Sequence, residues 1–327
     1  MIINQLNDKP KQEMNLYVED QYMENHPQSE HISKLKNFDD LFIGDPSEIE
    51  KNLRELLPKA KALKDQSIYL QMMARIALTE ALQKKFEDAH NTLNTAEKLL
   101  KSGDHLARAR ILLERGRVYQ QADNVELATP LFKQSYEISK KHQFDEHMLD
   151  AAHMIGIVSE DVHEKIKWNE LAIELAKESK VPRGRAWLGP LYHNVGQAYI
   201  EVEQYQNALN ASEKALEYRK QEGYAPNVRV AKWSVARAMR FLNRQNEALP
   251  ILLSLVEEYE LMVKEDTLDI PEPILFSVRG LVYEELSEIY QANAKYFAGL
   301  AYDDLSKDEW FKKLESTRLE RLKKLSH

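Results

Sequence analysis

Small residues recur at a nearly constant interval through the middle of the chain, and this recurrence strongly limits the possible folds. Five of them stand 39 or 40 positions apart in helical sequence contexts: Ala77, Gly116, Gly156, Gly196 and Ala236. The chain has only 10 glycines in 327 residues, and a glycine inside a helix costs about 1 kcal/mol relative to alanine. We therefore interpret each mark as a place where the backbone of a neighbouring helix fills the space of a missing side chain.

Residues at fixed distances from these marks define the repeating unit. A small residue lies twelve positions after the mark in four copies, and another follows seven later in three: Ala89, Ala128, Ala208 and Ala248, then Ala96, Ser135 and Ala215. This pattern predicts a helix, a polar turn and a second helix that cross closely. The third copy has no alanine at its crossing, so its second helix is predicted to begin early. A sixth, degenerate copy is predicted around Ser287.

Composition narrows the protein class further. A chain of 327 residues exceeds the usual size of a single core, and its few glycines and prolines favour an all-α protein. The net charge of −8 argues against a nucleic-acid partner. No run of 18 uncharged apolar residues is present, which predicts no membrane span. The absence of cysteine and of a secretory leader pattern predicts a cytoplasmic protein.

The motif Gly196-x-x-Tyr199, followed by Tyr205-x-x-Ala208 and Ala215, resembles the tetratricopeptide repeat (TPR). The resemblance implies a right-handed α-solenoid of about five to six helix-turn-helix repeats, each lengthened from the common 34 residues. The segments RARILLERGRVY, DAAHMIGIV and RAWLGPLYHNVGQAY resemble a group of bacterial TPR proteins. That likeness implies a bacterial origin and adds no activity.

A repeat array needs terminal elements that cover its exposed core faces. We expect residues 1–44 to form a polar N-terminal segment and residues 45–65 an N-capped capping helix. The TPR-like solenoid is expected over residues 66–302. Residues 303–327 are expected to form a charged capping helix, with Trp310 and Phe311 facing inward.

The first helix of each repeat should line the concave surface, as the resemblance implies. Positions −6, −3, +1 and +4 from each mark share a helical stripe that points away from the core. Asn194 matches an asparagine that similar repeats use to hold the main chain of a ligand peptide. Aromatic, guanidinium and amide side chains are typical of a peptide groove. The candidate groove residues are Arg110, Arg117, His153, His193, Asn194, Gln197, Trp233, Arg237 and Arg240.

Each groove candidate also has a structural interpretation. Trp233 is suited to packing between helices, and Arg237 and Arg240 to solvated positions or salt bridges between helices. Asn194 is suited to joining adjacent repeats. His153 occupies the position in its repeat that His193 occupies in the next, so the two rings are placed to approach each other across the groove.

Searches for catalytic and cofactor motifs are negative. No P-loop, dinucleotide-binding glycine run, nucleophile elbow or H-E-x-x-H sequence is present. Histidines 147, 153 and 163 do not share a helical face, so no metal site is predicted. The sequence thus predicts a non-catalytic module, without cofactor, that binds a peptide segment of a partner protein in the groove. Alternatives are a bacterial peptide-responsive regulator, a homo-oligomeric scaffold, and an enzyme centred on His153, His193 and Glu160.

Overall fold

The computed structural model describes residues 38–41, 44–63, 65–180, 182–290 and 294–326, and every regular element in these ranges is helical. Two compact units are present, separated between Ser179 and Lys180. The predicted N-terminal segment lies largely outside the described residues, because only its last few positions are included.

The N-terminal unit contains a short 3-10 turn, Phe38–Leu41, and seven α-helices. After the single helix α1, the chain forms three helix pairs, α2 with α3, α4 with α5, and α6 with α7. The first helices of successive pairs also contact each other, so α2, α4 and α6 form one continuous face. The bounds are α1 Pro46–Ala62, α2 Gln66–Leu82, α3 Phe86–Leu99, α4 His105–Gln121, α5 Val125–His142, α6 Asp145–Val158 and α7 Val162–Glu178.

The C-terminal unit begins with one helical turn and continues with three helix pairs, α9 with α10, α11 with α12, and α13 with α14. Here α9, α11 and α13 are the first helices and contact one another in order. The last two helices follow, and α16 packs against α14. The bounds are α8 Pro182–Arg185, α9 Leu188–Glu201, α10 Tyr205–Glu222, α11 Ala225–Phe241, α12 Gln245–Lys264, α13 Glu272–Ile289, α14 Ala294–Leu305, α15 Glu309–Leu314 and α16 Ser316–Ser326.

The glycine marks lie where the two helices of a pair cross, but different groups fill the space beside them. A Cβ on Gly116 would lie 2.4 Å from the ring of Phe132, and one on Gly156 would lie 2.8 Å from the amide of Asn169. At Gly196 the nearest atoms are Ser212 Oγ at 3.3 Å and a backbone carbonyl at 3.5 Å. A side-chain atom is the nearest neighbour at all three glycines, and a backbone atom is among the three nearest to the added Cβ only at Gly156 and Gly196, so the predicted backbone contact is secondary.

The turn between the helices of a pair repeats in backbone conformation as well as in length. The residue seven positions after the mark has a positive φ in four pairs, with values of 58° to 63°: Lys84, Asp123, Glu203 and Asn243. The next residue donates its backbone N–H to a carbonyl five positions earlier, as Gln204 does to Tyr199 at 2.8 Å. This is the Schellman arrangement, which satisfies the free carbonyls at the end of a helix.

The third pair departs from this turn in the predicted direction. Helix α7 begins at Val162, six residues after the mark, whereas α5 and α10 begin nine residues after theirs. Asp161 caps α7 by accepting a hydrogen bond from the backbone N–H of Glu164 at 2.9 Å. Asn169, seven residues after the start of α7, meets Gly156 at the crossing, just as Phe132, seven residues after the start of α5, meets Gly116.

The last helix pair has its own glycine, at a spacing that the sequence analysis did not anticipate. A Cβ on Gly280, in α13, would lie 2.7 Å from Leu305 of α14. Gly280 follows Ala236 by 44 positions, because α12 and the segment after it are longer than their counterparts. Gly280 is a close approach in addition to the predicted mark, since Ser287 is also buried in α13 and Ala301 in α14.

Both ends of the helical array carry defined helices. Asp45 caps α1 by accepting from the backbone N–H groups of Ser47 at 2.9 Å and Glu48 at 3.3 Å. At the other end the predicted single charged helix is divided into α15 and α16, with Phe311 buried. The side chain of Trp310 lies outside the described residues.

Candidate functional site

Six charged side chains converge on the first-helix face of the N-terminal unit. Three guanidinium groups and three carboxylates are present, so the group is formally neutral. We call it the charge cluster, and its members are Asp39, Arg75, Arg110, Glu114, Arg117 and Asp150.

Asp39 of the 3-10 turn bridges two of the first helices. Its Oδ1 accepts from Arg75 Nε of α2 at 2.6 Å, and its Oδ2 accepts from Arg110 Nη2 of α4 at 2.5 Å. Arg110 Nη1 adds a second bond to Oδ1 at 3.1 Å, which makes this pair bidentate. Burial, followed by the neighbouring charge of Arg75, lowers the pKa of Arg110 below its ordinary value. The candidate groove cation Arg110 is therefore neutralised by a carboxylate of the same chain.

Glu114 and Asp150 continue the charge cluster toward α6. Glu114 is fully buried, and its two oxygens lie 3.1 Å from Arg75 Nη1 and 3.0 Å from Arg117 Nη1. Arg117 also donates to Asp150 of α6. Burial alone would raise the pKa of Asp150, but the charge and hydrogen bond of Arg117 hold it below its usual value. The candidate Arg117 thus links two first helices through ion pairs.

Two histidines of α6 lie beside the charge cluster and are uncharged at neutral pH. Burial lowers the pKa of His147 to about 3 and that of His153 to about 4. His163 is on the following helix and is exposed. Among the described residues, no three histidine, aspartate or glutamate side chains come together in a way that would hold a metal ion.

The first-helix face of the C-terminal unit carries the remaining candidates. We call it the polar face, formed by His193, Asn194 and Gln197 of α9, Trp233, Arg237 and Arg240 of α11, and Glu285 of α13. Glu285 is buried and lies 3.4 Å from Arg237 Nε and 2.5 Å from Arg240 Nε. The predicted inter-helix salt bridges of both arginines are therefore present, and both side chains stay about one-fifth exposed.

Trp233 packs between helices rather than standing open to a ligand. The residue is 6% exposed, and its indole N–H donates to the carbonyl of Leu281 at 3.2 Å. The guanidinium of Arg237 lies 5.2 Å from the centre of its ring, within the range of a cation–π contact. The ring therefore helps to fix the position of the Arg237 guanidinium, and Arg237 rather than Trp233 is exposed at the surface.

The amide side chains of α9 have hydrogen-bonding capacity left over. Gln197 Oε1 accepts from Arg237 Nη1 at 3.0 Å, and its Nε2 is buried without a partner among the described residues. Asn194 is partly exposed, and no hydrogen bond within the described part of the chain involves its side chain. The partly exposed amide of Asn194 is therefore the one that a ligand atom can reach.

His193 links α9 to α11 within the same unit. Its Nδ1 lies 3.0 Å from Ser234 Oγ of α11, and this hydroxyl also donates to the carbonyl of Val230 at 3.1 Å. Burial, followed by the charge of Arg219, lowers the pKa of His193 to about 3. His193 and His153 belong to different compact units, so their predicted approach to each other stays a prediction.

No sequence pattern predicted a place in either surface for Asp39, Arg75, Glu114 or Glu285. A sequence signal for some of them exists two residues before the mark, where four repeats have a polar side chain: Arg75, Glu114, Asn194 and Ser234. Only Asn194 was recognised there. Leu113, which shares the predicted groove stripe, is fully buried because neighbouring first helices cover part of that stripe.

No protein-family model matches the chain. No curated protein matches it either. Within the described residues, no helix is both long enough and apolar enough to cross a membrane.

Solved structures resemble the chain over most of its length. The apo form of RapI has a TM-score of 0.60 at 13% identity and covers 86% of this chain and 76% of its own. The apo quorum sensor NprR from B. thuringiensis has a TM-score of 0.55 at 17% identity, covering 91% and 87%. A signal transduction ATPase from Pyrococcus horikoshii with a tetratricopeptide repeat sensor has a TM-score of 0.60 at 15% identity, covering 88% and 45%. At these identities the likeness shows the fold alone, and it confirms the predicted α-solenoid class.

Proposed function

We propose that this chain, an all-α solenoid of tetratricopeptide-like repeats, is a non-catalytic protein-interaction module. Its ligand is an extended peptide segment of a partner protein, bound along the polar face of the C-terminal unit. The observation that carries this proposal is the amide of Asn194, which is partly exposed and whose side chain makes no hydrogen bond within the described residues.

The residue types on the polar face match the groups of an extended backbone. The amide of Asn194 can accept from and donate to a peptide unit, and Gln197 holds Arg237 beside it through the hydrogen bond to Oε1. Arg240 and Arg237 are held in place by Glu285 while remaining partly exposed. They are suited to a carboxylate or carbonyl on the ligand because guanidinium groups present several donors in a fixed plane.

The other candidates have supporting roles in this proposal. Trp233 holds Arg237 through the stacked ring, and His193 joins α9 to α11 through Ser234. Arg110, Arg117 and His153 belong to the first-helix face of the N-terminal unit, where ion pairs already balance both arginines. We propose these three as parts of a separate surface.

A second candidate function is a peptide-responsive sensor. Two of the similar structures are described as a quorum sensor and as a tetratricopeptide repeat sensor. Binding would then shift the equilibrium between conformations of the chain rather than only recruit a partner. Both functions place the same chemistry on the polar face, so one binding experiment tests their common premise.

Affinity capture from extracts of the source cells tests the premise with a matched pair of variants. We expect Asn194→Ala/Gln197→Ala to lose about tenfold in affinity for the captured partner, since two hydrogen bonds contribute about 0.5–1.5 kcal/mol each. The control is Gln206→Ala/Asn210→Ala, which removes two exposed amides that bond each other on α10. Equal partner affinities for the two double variants would overturn the assignment.

A further inference from the structure

The charge cluster of the N-terminal unit has one member that does not come from the helix pairs. Five members lie on α2, α4 and α6, whereas Asp39 lies on the 3-10 turn that precedes α1. Before α1 begins, the chain passes through Gly44 at a φ of +107°, a conformation that residues with side chains rarely adopt. The 3-10 turn is therefore an element outside the helix pairs, and it packs against their first helices.

The turn holds its position through one aromatic and one acidic side chain. Phe38 is 4% exposed and packs in a cluster with Ile49, Leu53 and Met72 of α1 and α2. Asp39, next in the chain, makes the three hydrogen bonds to Arg75 and Arg110 described above. An aromatic anchor followed by a carboxylate is thus the chemistry that this surface recognises.

Without Asp39 the charge cluster has one carboxylate fewer than it has arginines. Within the described residues, the charge cluster has two other carboxylates, Glu114 and Asp150, so its five members without Asp39 carry a formal net charge of +1. Arg75 and Arg110 are each less than one-tenth exposed. Displacing the turn removes the carboxylate that Arg75 and Arg110 share and leaves two like charges close together, so the vacated site favours an anion.

We propose that Arg75 and Arg110 form a carboxylate-binding site, that Asp39 is its intramolecular occupant, and that an acidic partner segment with an aromatic residue before the acid competes for it. The turn then acts as a built-in competitor, because tethering gives it a high effective concentration. The site lies in the N-terminal unit and does not depend on the polar face. Its failure and the failure of the proposed function are therefore separately measurable.

A peptide copied from the turn tests recognition directly. The probe is the labelled octapeptide KNFDDLFI, residues 36–43 of this chain, and the readout is fluorescence anisotropy with the full-length protein. We expect Phe38→Ala/Asp39→Ala to bind the probe at least tenfold more tightly than the unmodified chain. The same peptide with asparagine replacing its first aspartate should bind the variant at least tenfold more weakly. Equal binding of the two peptides, or no binding by the folded variant, would overturn the proposal.

A second measurement applies whether or not the double variant folds. Asp39→Ala alone should have a lower thermal midpoint, and sodium acetate should raise that midpoint, or restore folding, more than sodium chloride at equal ionic strength. Asp39→Ala/Arg110→Gln is the matched control, because its two remaining arginines balance the two carboxylates and leave no demand for an anion. The proposal is wrong if acetate and chloride act equally on Asp39→Ala, or if acetate stabilises both variants alike.

Discussion

At the scale of single residues, the glycines that define the period are not equivalent. A Cβ on Gly116 would lie 2.4 Å from the fully buried ring of Phe132, which is too close to be tolerated. A Cβ on Gly196 would lie 3.3 Å from Ser212 Oγ, which is tight, and 3.5 Å from a backbone carbonyl, which is an ordinary contact. The same sequence mark thus records a steric requirement in one repeat and a looser preference in another.

Alanine substitution should separate these two glycines. We expect Gly116→Ala to lower the free energy of unfolding by about 1–3 kcal/mol, because the buried ring has to shift. Gly196→Ala should change it by less than about 0.5 kcal/mol, since the gain in helix propensity offsets a small adjustment of Ser212. Gly196→Leu, with a longer side chain, should destabilise the chain clearly. Urea denaturation of the three variants measures these differences, and equal losses for the two alanine variants would contradict the contacts described.

At the scale of helices and turns, four pairs share a left-handed residue whose identity varies. Lys84, Asp123, Glu203 and Asn243 all adopt a positive φ, which costs a residue with a side chain about 1–2 kcal/mol. None of them is glycine, the usual residue at this position. The Schellman hydrogen bonds hold the turn in spite of that cost.

Glycine at one of these turns should therefore stabilise the protein. We expect Glu203→Gly to raise the free energy of unfolding by about 0.5–1 kcal/mol, because relief of the left-handed strain exceeds the added entropy of the unfolded chain. Glu213→Gly, at an exposed position inside α10, should instead lower it by about 1 kcal/mol. Thermal denaturation distinguishes them, and a loss of stability in Glu203→Gly would show that its backbone conformation is not the one described.

At the scale of the whole molecule, three histidines with lowered pKa values connect stability to pH. Burial lowers the pKa values of His147 and His193 to about 3 and that of His153 to about 4, from an ordinary value of 6.5. The unfolded chain therefore binds protons at these rings at a higher pH than the folded chain does. Their contribution to stability is fully present above about pH 6.5 and is lost as the pH falls toward about 4 for His153 and about 3 for His147 and His193.

The chain should consequently be less stable at pH 5 than at pH 7.5. Each histidine lowers the free energy of unfolding by about 2 kcal/mol over that interval. Replacing one of them, as in His147→Gln, should reduce the pH dependence by a corresponding amount, and the exposed control His163→Gln should leave it unchanged. Urea denaturation at the two pH values measures both slopes. Identical slopes for His147→Gln and the unmodified chain would contradict the burial of that ring.

The fold was largely predictable because stacked helix pairs impose one spacing on many residues at once. Gly116, Gly156 and Gly196 are visible as a series, and the missing alanine in the third copy correctly indicated an early start for α7. Gly280 was missed because a longer preceding helix moved it out of the series. The left-handed turn residues were not predicted, because lysine, aspartate and glutamate give no clear sequence signal of a positive φ.

The charge cluster was less predictable because its partners are far apart in the chain. Asp39 pairs with Arg75 and Arg110 across 36 and 71 residues, and it stands outside every repeat. Position and residue type alone placed Arg110 and Arg117 on a surface facing a ligand. Only the folded chain shows that a carboxylate from a separate turn meets the first of them.

The ion pairs that join α2, α4 and α6 also restrict how this protein can have evolved. Repeat arrays commonly gain or lose whole units, because each unit needs only apolar contact with its neighbours. Here Glu114 of α4 serves arginines on two helices, and Arg117 reaches a carboxylate on a third. Deleting or duplicating one helix pair would leave a buried charge without its partner. Losing or gaining a pair would therefore also require changes at the charged residues that it leaves behind.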